Sequence, residues 1–169
     1  MSKKIAALAT DSVEDSELGV PRKQMIEDGH QVDIISLKHG KITGDKGQLF
    51  DVNKTIDEVK PEDYDALLLP GGGSPDKLRT DDRFVKFVRH FFFNSKPVFA
   101  ICHGPQFFIQ AGILKGRTLT AVKSIIPDLY FAGGITKDEP LVIDGNLITS
   151  RTPADLDQFV PAIKKVLNN

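Results

Sequence analysis

Short apolar runs alternate with longer amphipathic stretches along most of the chain. The apolar runs predict buried strands at Lys4–Ala9, Gln31–Leu37, Asp65–Leu69 and Pro97–Ile101. Elsewhere, apolar side chains recur at three- and four-residue spacing, which predicts helices at Asp15–Asp28, Asp81–Asn94, Gly104–Ala111 and Pro153–Leu167. Strands that alternate with helices form a mostly parallel sheet covered on both faces. We therefore predict an α/β fold, a doubly wound, flavodoxin-like three-layer sandwich.

The pattern is less regular near the end of the chain and in one internal segment. Leu141–Ile143 and Leu147–Thr149 flank Asp144-Gly145-Asn146, a turn sequence typical of a β-hairpin. Thr152 is predicted to cap the last helix. The internal segment His39–Val52 is compatible with small strands or with a loop.

The composition excludes several classes of protein. The length of 169 residues fits a single domain at residues 1–169, and 22 Lys and Arg balance 23 Asp and Glu with both signs interspersed. Without a basic stripe, we predict no nucleic acid partner. No apolar segment approaches the roughly 20 residues that span a bilayer, so we predict no membrane contact. The single cysteine suits a reducing compartment and predicts a cytoplasmic location.

That cysteine lies in Ala100-Ile101-Cys102-His103-Gly104, between a predicted strand and a predicted helix. Small residues at both ends let strand and helix approach closely, as in a nucleophile elbow. Free N–H groups at a helix start stabilise a thiolate, so we predict a lowered pKa for Cys102 and a reactive thiol. The structural alternative is a buried free cysteine that packs as a small hydrophobic residue.

An oxyanion site would accompany such an elbow. Its predicted donors are the backbone N–H of His103 and that of Gly72 or Gly73, in the glycine turn after another strand. Glu14 is predicted to lean over the sheet edge toward Cys102, where burial would keep its carboxyl group protonated and able to donate to the thiolate. Alternatively, the glycines only form a tight turn and Glu14 only complements a helix dipole.

Six segments together resemble one family. They are VEDSEL, EDGHQVDIISL, KITGDKG, YDALLLPGG, KPVFAICHGPQ and ITSRTPADL. The resemblance, to the PfpI family of the class-I glutamine amidotransferase-like superfamily, runs nearly end to end. It implies that Cys102 is the nucleophile, that His103 is its acid–base partner and that Glu14 is the buried glutamate at the thiol. It also implies that Asp76 reaches the histidine of a neighbouring subunit in a homodimer or higher homo-oligomer.

The chain departs from the family pattern at several positions. Asp76 stands where the family often has a glutamate, one methylene longer. Val13 replaces a common aromatic residue, and Val122–Ser124 replaces a segment that contains a tyrosine in some members. Arg151 follows a strand end and is predicted to hold an anionic group, unless it is an ordinary surface arginine. The replacement at Val122–Ser124 would change the pocket wall and the substrate.

The resemblance implies an enzyme that acts on small reactive carbonyls without a cofactor, as a glyoxalase that converts methylglyoxal to lactate or as a deglycase. Two alternatives use the same thiol. One is an intracellular cysteine peptidase with a Cys102, His103 and Asp76 triad. The other is a non-enzymatic oxidation sensor or chaperone. The sequence shows no metal-ligand cluster, so neither a metal nor another cofactor is predicted.

Overall fold

The computed structural model describes residues 1–169. The strands are β1 (Lys4–Leu8), β2 (Gln31–Ser36), β3 (Lys41–Thr43), β4 (Leu49–Asp51), β5 (Lys54–Thr55), β6 (Ala66–Leu69), β7 (Val98–Ile101), β8 (Thr118–Leu119), β9 (Ile135–Thr136), β10 (Val142–Asp144) and β11 (Leu147–Ser150). The helices are α1 (Asp15–Glu27), α2 (Ser74–Leu78), α3 (Asp82–Phe93), α4 (Gln106–Ala111), α5 (Ile126–Phe131) and α6 (Leu156–Leu167).

Seven strands form the central sheet, in the order β10-β11-β7-β6-β1-β2-β5. All neighbours are parallel except β10, which pairs antiparallel with β11. The chain runs from β1 outward to β2 and β5, and then crosses back to β6 on the other side of β1. The strand order therefore reverses between β1 and β6, where a doubly wound sheet forms its ligand crevice. The predicted fold class is confirmed, while the single domain at residues 1–169 stays a prediction.

Helices cover both faces of this sheet. The side chains of each strand alternate between the faces, and β6 and β7 are buried along their whole length. Leu67 and Ala100 point into the core under the aromatic residues of α3 and α4. Leu68 and Ile101 point to the opposite core, which α1 and α6 cover. No helix of the chain is long and apolar enough to cross a membrane.

The structure moves two predicted helix starts and shows the form of the segment that the sequence left open. Helix α4 begins at Gln106, because four turn residues separate it from β7. Helix α6 begins at Leu156 after a 3-10 helix at Pro153–Asp155, and Thr152 precedes that turn without a side-chain capping hydrogen bond. The predicted cap is therefore wrong. The open segment His39–Val52 contains the antiparallel β3–β4 hairpin.

Candidate functional site

Cys102 occupies a sharp turn at the carboxyl end of β7. Its backbone lies in the left-handed region, with a φ of 63°, which costs a non-glycine residue about 1–2 kcal/mol. Its N–H donates to the carbonyl oxygen of Ser150 at 3.1 Å, and the N–H of Gly104 closes the turn onto the carbonyl oxygen of Ile101 at 2.9 Å. The turn therefore holds the thiol at the end of the sheet, where Cys102 is 8% exposed.

Gly71, just beyond β6, lets three groups of the site come together. A Cβ at this position would lie 2.6 Å from Oε1 of Glu17, 2.8 Å from Cβ of Cys102 and 2.9 Å from the backbone nitrogen of His103. No side chain fits in that space. The glycine therefore brings α1 into direct contact with the cysteine turn.

Glu17 of α1 is the carboxyl group beside the thiol. It is fully buried, and its Oε1 accepts from the N–H of Gly71 at 2.9 Å. Its Oε2 has no hydrogen-bond partner. The carboxyl group and Cys102 meet at Gly71, close enough for each group to shift the pKa of the other. Burial raises the pKa of Glu17 to about 8. The hydrogen bond from the N–H of Gly71 acts in the opposite direction, and the charge of Glu14 adds to the rise. Glu17 is therefore protonated at neutral pH, and its O–H can donate to the sulfur.

The predicted lowering of the thiol pKa is wrong. Burial raises the pKa of Cys102 to about 12, and charge on Glu17 acts in the same direction, whereas the backbone N–H groups of Gly72 and His103 lower it. Helix α4, which was expected to stabilise the thiolate, begins only at Gln106 and has six residues. Cys102 and Glu17 titrate as a coupled pair, because a charge on either group raises the pKa of the other. A thiolate that forms while Glu17 keeps its proton has three donors, the Glu17 O–H and the two backbone N–H groups.

Glu14 does not contact the thiol, so the prediction for this residue is wrong. It is the N-cap of α1, where its carboxylate accepts from the backbone N–H of Ser16 at 2.8 Å, from the Ser16 hydroxyl and from Nζ of Lys46. Burial opposes ionisation, but the hydrogen bonds from Lys46 and Ser16 outweigh it and hold the pKa of Glu14 below its usual value. Glu14 lies about one helical turn before Glu17, and its carboxylate turns toward the β3–β4 hairpin.

His103 lies beside the thiol of its own chain. Its Nδ1 is 3.4 Å from Sγ of Cys102. Burial lowers the pKa of His103, and the charge of Asp76 partly offsets that effect, so the imidazole is neutral at pH 7 and able to accept a proton. Asp76 is exposed on the first turn of α2, where its charge acts on His103 of the same chain. The predicted reach of Asp76 into a neighbouring subunit stays a prediction.

The glycine turn supplies one donor to the site. The N–H of Gly72 lies close enough to the Cys102 sulfur to lower the pKa of the thiol. The N–H of Gly73 instead donates to the carbonyl oxygen of Ser12 at 2.8 Å. Gly72 has a φ of 76°, and a β-bridge to Val13 fixes its position. This geometry favours Gly72 over Gly73 as the second oxyanion donor.

The guanidinium of Arg151, just beyond β11, is already paired. Its Nε and Nη2 donate to the carboxylate of Asp155 at 2.9 and 3.1 Å, and its Nη1 donates to Asp138 at 3.0 Å. The backbone N–H of Arg151 also donates to Asp155, at 3.0 Å. Two carboxylates balance the charge of this arginine, which argues against its predicted role in holding an anionic group.

Sequence reasoning missed Glu17, although a signal was present. Glu17, Pro21 and Met25 recur at four-residue spacing and are all buried on the inner face of α1. Glutamate is rarely buried fully without a specific partner. A glutamate within a buried helical stripe, at the helix end that meets the glycine turn, is therefore a candidate buried acid.

Access to the thiol is narrow. Cys102 is 8% exposed. Two grooves of the surface, of about 790 and 580 Å³, lie beside α1 and beside α3, and Cys102 lines neither of them. No group of three or more His, Cys, Asp or Glu side chains is arranged to hold a metal ion. A reacting molecule must therefore reach a largely buried thiol outside these two grooves.

Comparisons with known proteins show a family match along nearly the whole chain. Residues 3–165 match the model of the DJ-1/PfpI family. Protein/nucleic acid deglycase 2 of Escherichia coli (strain K12) is 53% identical over 162 residues, which cover 94% of either chain. A Bacillus subtilis (strain 168) protein named as a candidate cysteine protease, YraA, is 50% identical over 160 residues, which cover 94% of this chain and 95% of that protein.

Solved structures share the fold. A two-domain protein from Anabaena variabilis, with DJ-1/ThiJ/PfpI-like and ferritin-like domains, matches with a TM-score of 0.96 at 38% identity. The match covers 98% of this chain and 48% of that protein, so this chain spans about half its length. Schizosaccharomyces pombe DJ-1 matches with a TM-score of 0.87 at 22% identity, over 96% of this chain and 90% of the other. At that identity the likeness concerns the fold alone.

Proposed function

The chain belongs to the DJ-1/PfpI family, and from that premise we propose that it is a cysteine-dependent enzyme acting on small reactive carbonyls, as a cofactor-independent glyoxalase or as a deglycase. The nucleophile would be the thiolate of Cys102. The name of the Escherichia coli relative supports the deglycase arm.

The contact between Cys102 and the protonated Glu17 carries this proposal. A nucleophilic sulfur next to a buried acid and a neutral histidine has the groups needed to add to a carbonyl and then to move protons. Because neither large groove reaches the thiol, a compact carbonyl compound fits the site better than an extended polypeptide does.

With methylglyoxal, the sulfur would add to the aldehyde carbon. An S–C bond forms, the carbonyl π electrons move to oxygen, and that oxygen takes a proton to give a hemithioacetal. The N–H groups of Gly72 and His103 would stabilise the oxygen while it is charged. The His103 ring would then take the proton from the former aldehyde carbon and return it to the neighbouring carbon through an enediol, which gives a lactoyl thioester. Water cleaves that thioester to lactate and the free thiol, so no oxidant is consumed.

A cysteine peptidase is the second candidate, and the name of the Bacillus subtilis relative favours it. It would use Cys102 with His103, whose Nδ1 lies 3.4 Å from the sulfur, and Asp76 as the third residue. The exposure of Asp76 and the position of the thiol outside these two grooves make this reading weaker. A non-enzymatic oxidation sensor or chaperone would need the same thiol but no turnover.

The assembly and compartment are part of the same proposal. We expect a homodimer or higher homo-oligomer in the cytoplasm, with no cofactor. An exposed Asp76 on α2 is free to meet His103 of another copy while its charge also reaches His103 of its own chain. Sedimentation at micromolar concentration tests the assembly, and a monomer would remove the shared site.

The function is tested with purified protein, methylglyoxal and separately a glycated amine, without glutathione or metal. Lactate or the freed amine should form with the wild type and not with Cys102→Ala, while Glu14→Gln should retain most of the activity because Glu14 faces away from the thiol. Equal turnover by wild type and Cys102→Ala would exclude the thiol mechanism. Cleavage of a peptide that depends on Cys102, with neither carbonyl substrate consumed, would establish the peptidase instead.

A further inference from the structure

Ser150, the last residue of β11, has a fully buried hydroxyl with no hydrogen-bond partner. An unpaired buried hydroxyl has lost its hydrogen bonds to water without a replacement, which destabilises the folded protein. The adjacent Thr149 is equally buried, but its Oγ1 accepts from the N–H of Thr120 at 2.9 Å and donates to the carbonyl oxygen of Val142 at 3.4 Å. The end of β11 therefore does not by itself leave a hydroxyl without a partner.

Two relations place the Ser150 side chain beside the thiol. Ser150 pairs in register with Ile101, and its carbonyl oxygen accepts the N–H of Cys102 at 3.1 Å. Side chains alternate along β11, so Ser150 points to the same face as Ile148. Ile148, Ile101 and Cys102 pack in one core cluster. The unpaired hydroxyl thus faces the core to which the thiol belongs, and Thr149 faces the other core.

We propose that Ser150 is a positioning residue whose hydroxyl turns to donate to the Cys102 sulfur when the thiolate forms. This inference rests on the proposed role of Cys102 as the nucleophile. A neutral thiol is a weak acceptor, whereas a thiolate forms a charge-assisted hydrogen bond, and a serine O–H rotates to suit its partner. This hydrogen bond would give the Ser150 hydroxyl a partner and stabilise the charge of the thiolate. Ser150 would be the fourth donor, after the Glu17 O–H and the N–H groups of Gly72 and His103.

Several charged groups also bear on the ionisation of the thiol, and the test must leave them in place. Glu17 faces it from α1 and His103 from the cysteine turn. Asp76 of α2 acts through His103, while Glu14 and Lys46 act through Glu17. A substitution on β11 alters none of these side chains.

The test compares Ser150→Ala with Ser150→Thr, which keeps a hydroxyl, and with Thr149→Val as the matched control. The second-order rate of alkylation by iodoacetamide is measured for each protein at several pH values below the pKa of the thiol, where the rate follows the thiolate fraction. Ser150→Ala should lower this rate about tenfold or more at each pH, since loss of a hydrogen bond to the charged sulfur raises the thiol pKa by about one unit or more. Ser150→Thr should restore the rate toward the wild-type value. Thr149→Val should leave the rate unchanged and lower the stability, because it removes two made hydrogen bonds.

An unchanged alkylation rate in Ser150→Ala, or an equal fall in Thr149→Val, would overturn the proposal. Circular dichroism identifies a variant that fails to fold, and Ser150→Gly then serves as the second variant without a hydroxyl. Alkylation does not require carbonyl turnover, so the two proposals fail separately. Slower alkylation of Ser150→Ala, with no carbonyl turnover by the wild type, would reject the enzyme and keep the role of Ser150. Turnover by the wild type with an unchanged alkylation rate in Ser150→Ala would do the opposite.

Discussion

Glu14 and Glu17 lie at the two ends of the first turn of α1, and their carboxyl groups are in opposite protonation states. Glu14 and Glu17 are both buried, at 7% and 0% exposure. Glu14 receives hydrogen bonds from Lys46 and Ser16, which hold its pKa below the usual value. Glu17 has only the N–H of Gly71 and the Cys102 thiol, and its pKa rises to about 8. Burial alone therefore does not decide the charge of a carboxyl group; the donors that accompany it do.

The difference separates a structural role from a chemical one. An ionised Glu14 caps a helix and pairs with a lysine that is mostly exposed. A protonated Glu17 has a proton to donate and an acceptor beside it. If this comparison is correct, substitutions at the two positions should affect different properties of the protein.

The largest expected effect is on activity. Glu17→Leu should reduce kcat/KM for the carbonyl substrate about ten- to a hundredfold at pH 7, since it removes a hydrogen bond to the charged sulfur. Glu14→Leu should have a much smaller effect. Steady-state kinetics of both variants check this, and a greater loss from Glu14→Leu would reverse the assignment.

A second effect is on the pH dependence of stability. The folded protein holds the Glu17 proton up to about pH 8, whereas the unfolded chain releases it near the usual glutamate pKa of 4.5. The free energy of unfolding should therefore fall as pH rises from about 4.5 to 8, by at most about 1.4 kcal/mol per pH unit. Glu17→Gln should remove this slope. Because the pKa of Glu14 is lowered, its stabilising contribution is present above the unfolded pKa and is lost only in acid.

Urea denaturation at several pH values measures both slopes. Glu14→Gln should alter the stability only at acid pH. It should leave unchanged the slope of the stability profile between about pH 5 and 8, the range in which Glu17 is expected to contribute. Identical profiles for wild type and Glu17→Gln across that window would show that Glu17 is ionised in the folded protein.

The smallest expected effects concern the helix cap. Glu14→Ala should cost about 1 kcal/mol of stability, the usual effect of losing an N-cap side chain. Lys46→Met should cost less, because Lys46 is largely exposed. Thermal or urea unfolding at pH 7 measures both, and alkylation of Cys102 should change far less than it does in Glu17→Gln. A marked change in alkylation by Lys46→Met would connect the cap to the thiol.

The sequence predicted the features that depend on local pattern. The strand before Cys102, the turn at Gly71–Gly73 and the hairpin at Asp144–Asn146 follow from apolar runs and turn residues, and the structure contains all of them. The resemblance implied His103 as the acid–base partner of the thiol, and the structure places its Nδ1 3.4 Å from the sulfur. These features need no knowledge of how one element rotates against another.

The missed features depend on packing between distant elements. Only the rotation of α1 over the sheet decides that Glu17, and not Glu14, meets the thiol. The pKa of the thiol likewise depends on burial by α1 and on the distance between the sulfur and α4. That distance is longer than expected because a turn precedes α4, which begins only at Gln106. The pairing of Arg151 with Asp138 is also invisible to local pattern.

The most direct test of the account is the protonation of Glu17 itself. Difference infrared spectroscopy of the wild type should show the carbonyl stretch of a buried, protonated carboxyl group at neutral pH, with a titration near pH 8. We predict that this band persists in Glu14→Gln and disappears in Glu17→Gln. A wild-type protein without the band at neutral pH, or a band that Glu14→Gln removes and Glu17→Gln keeps, would contradict the claim that Glu17 is the protonated partner of Cys102.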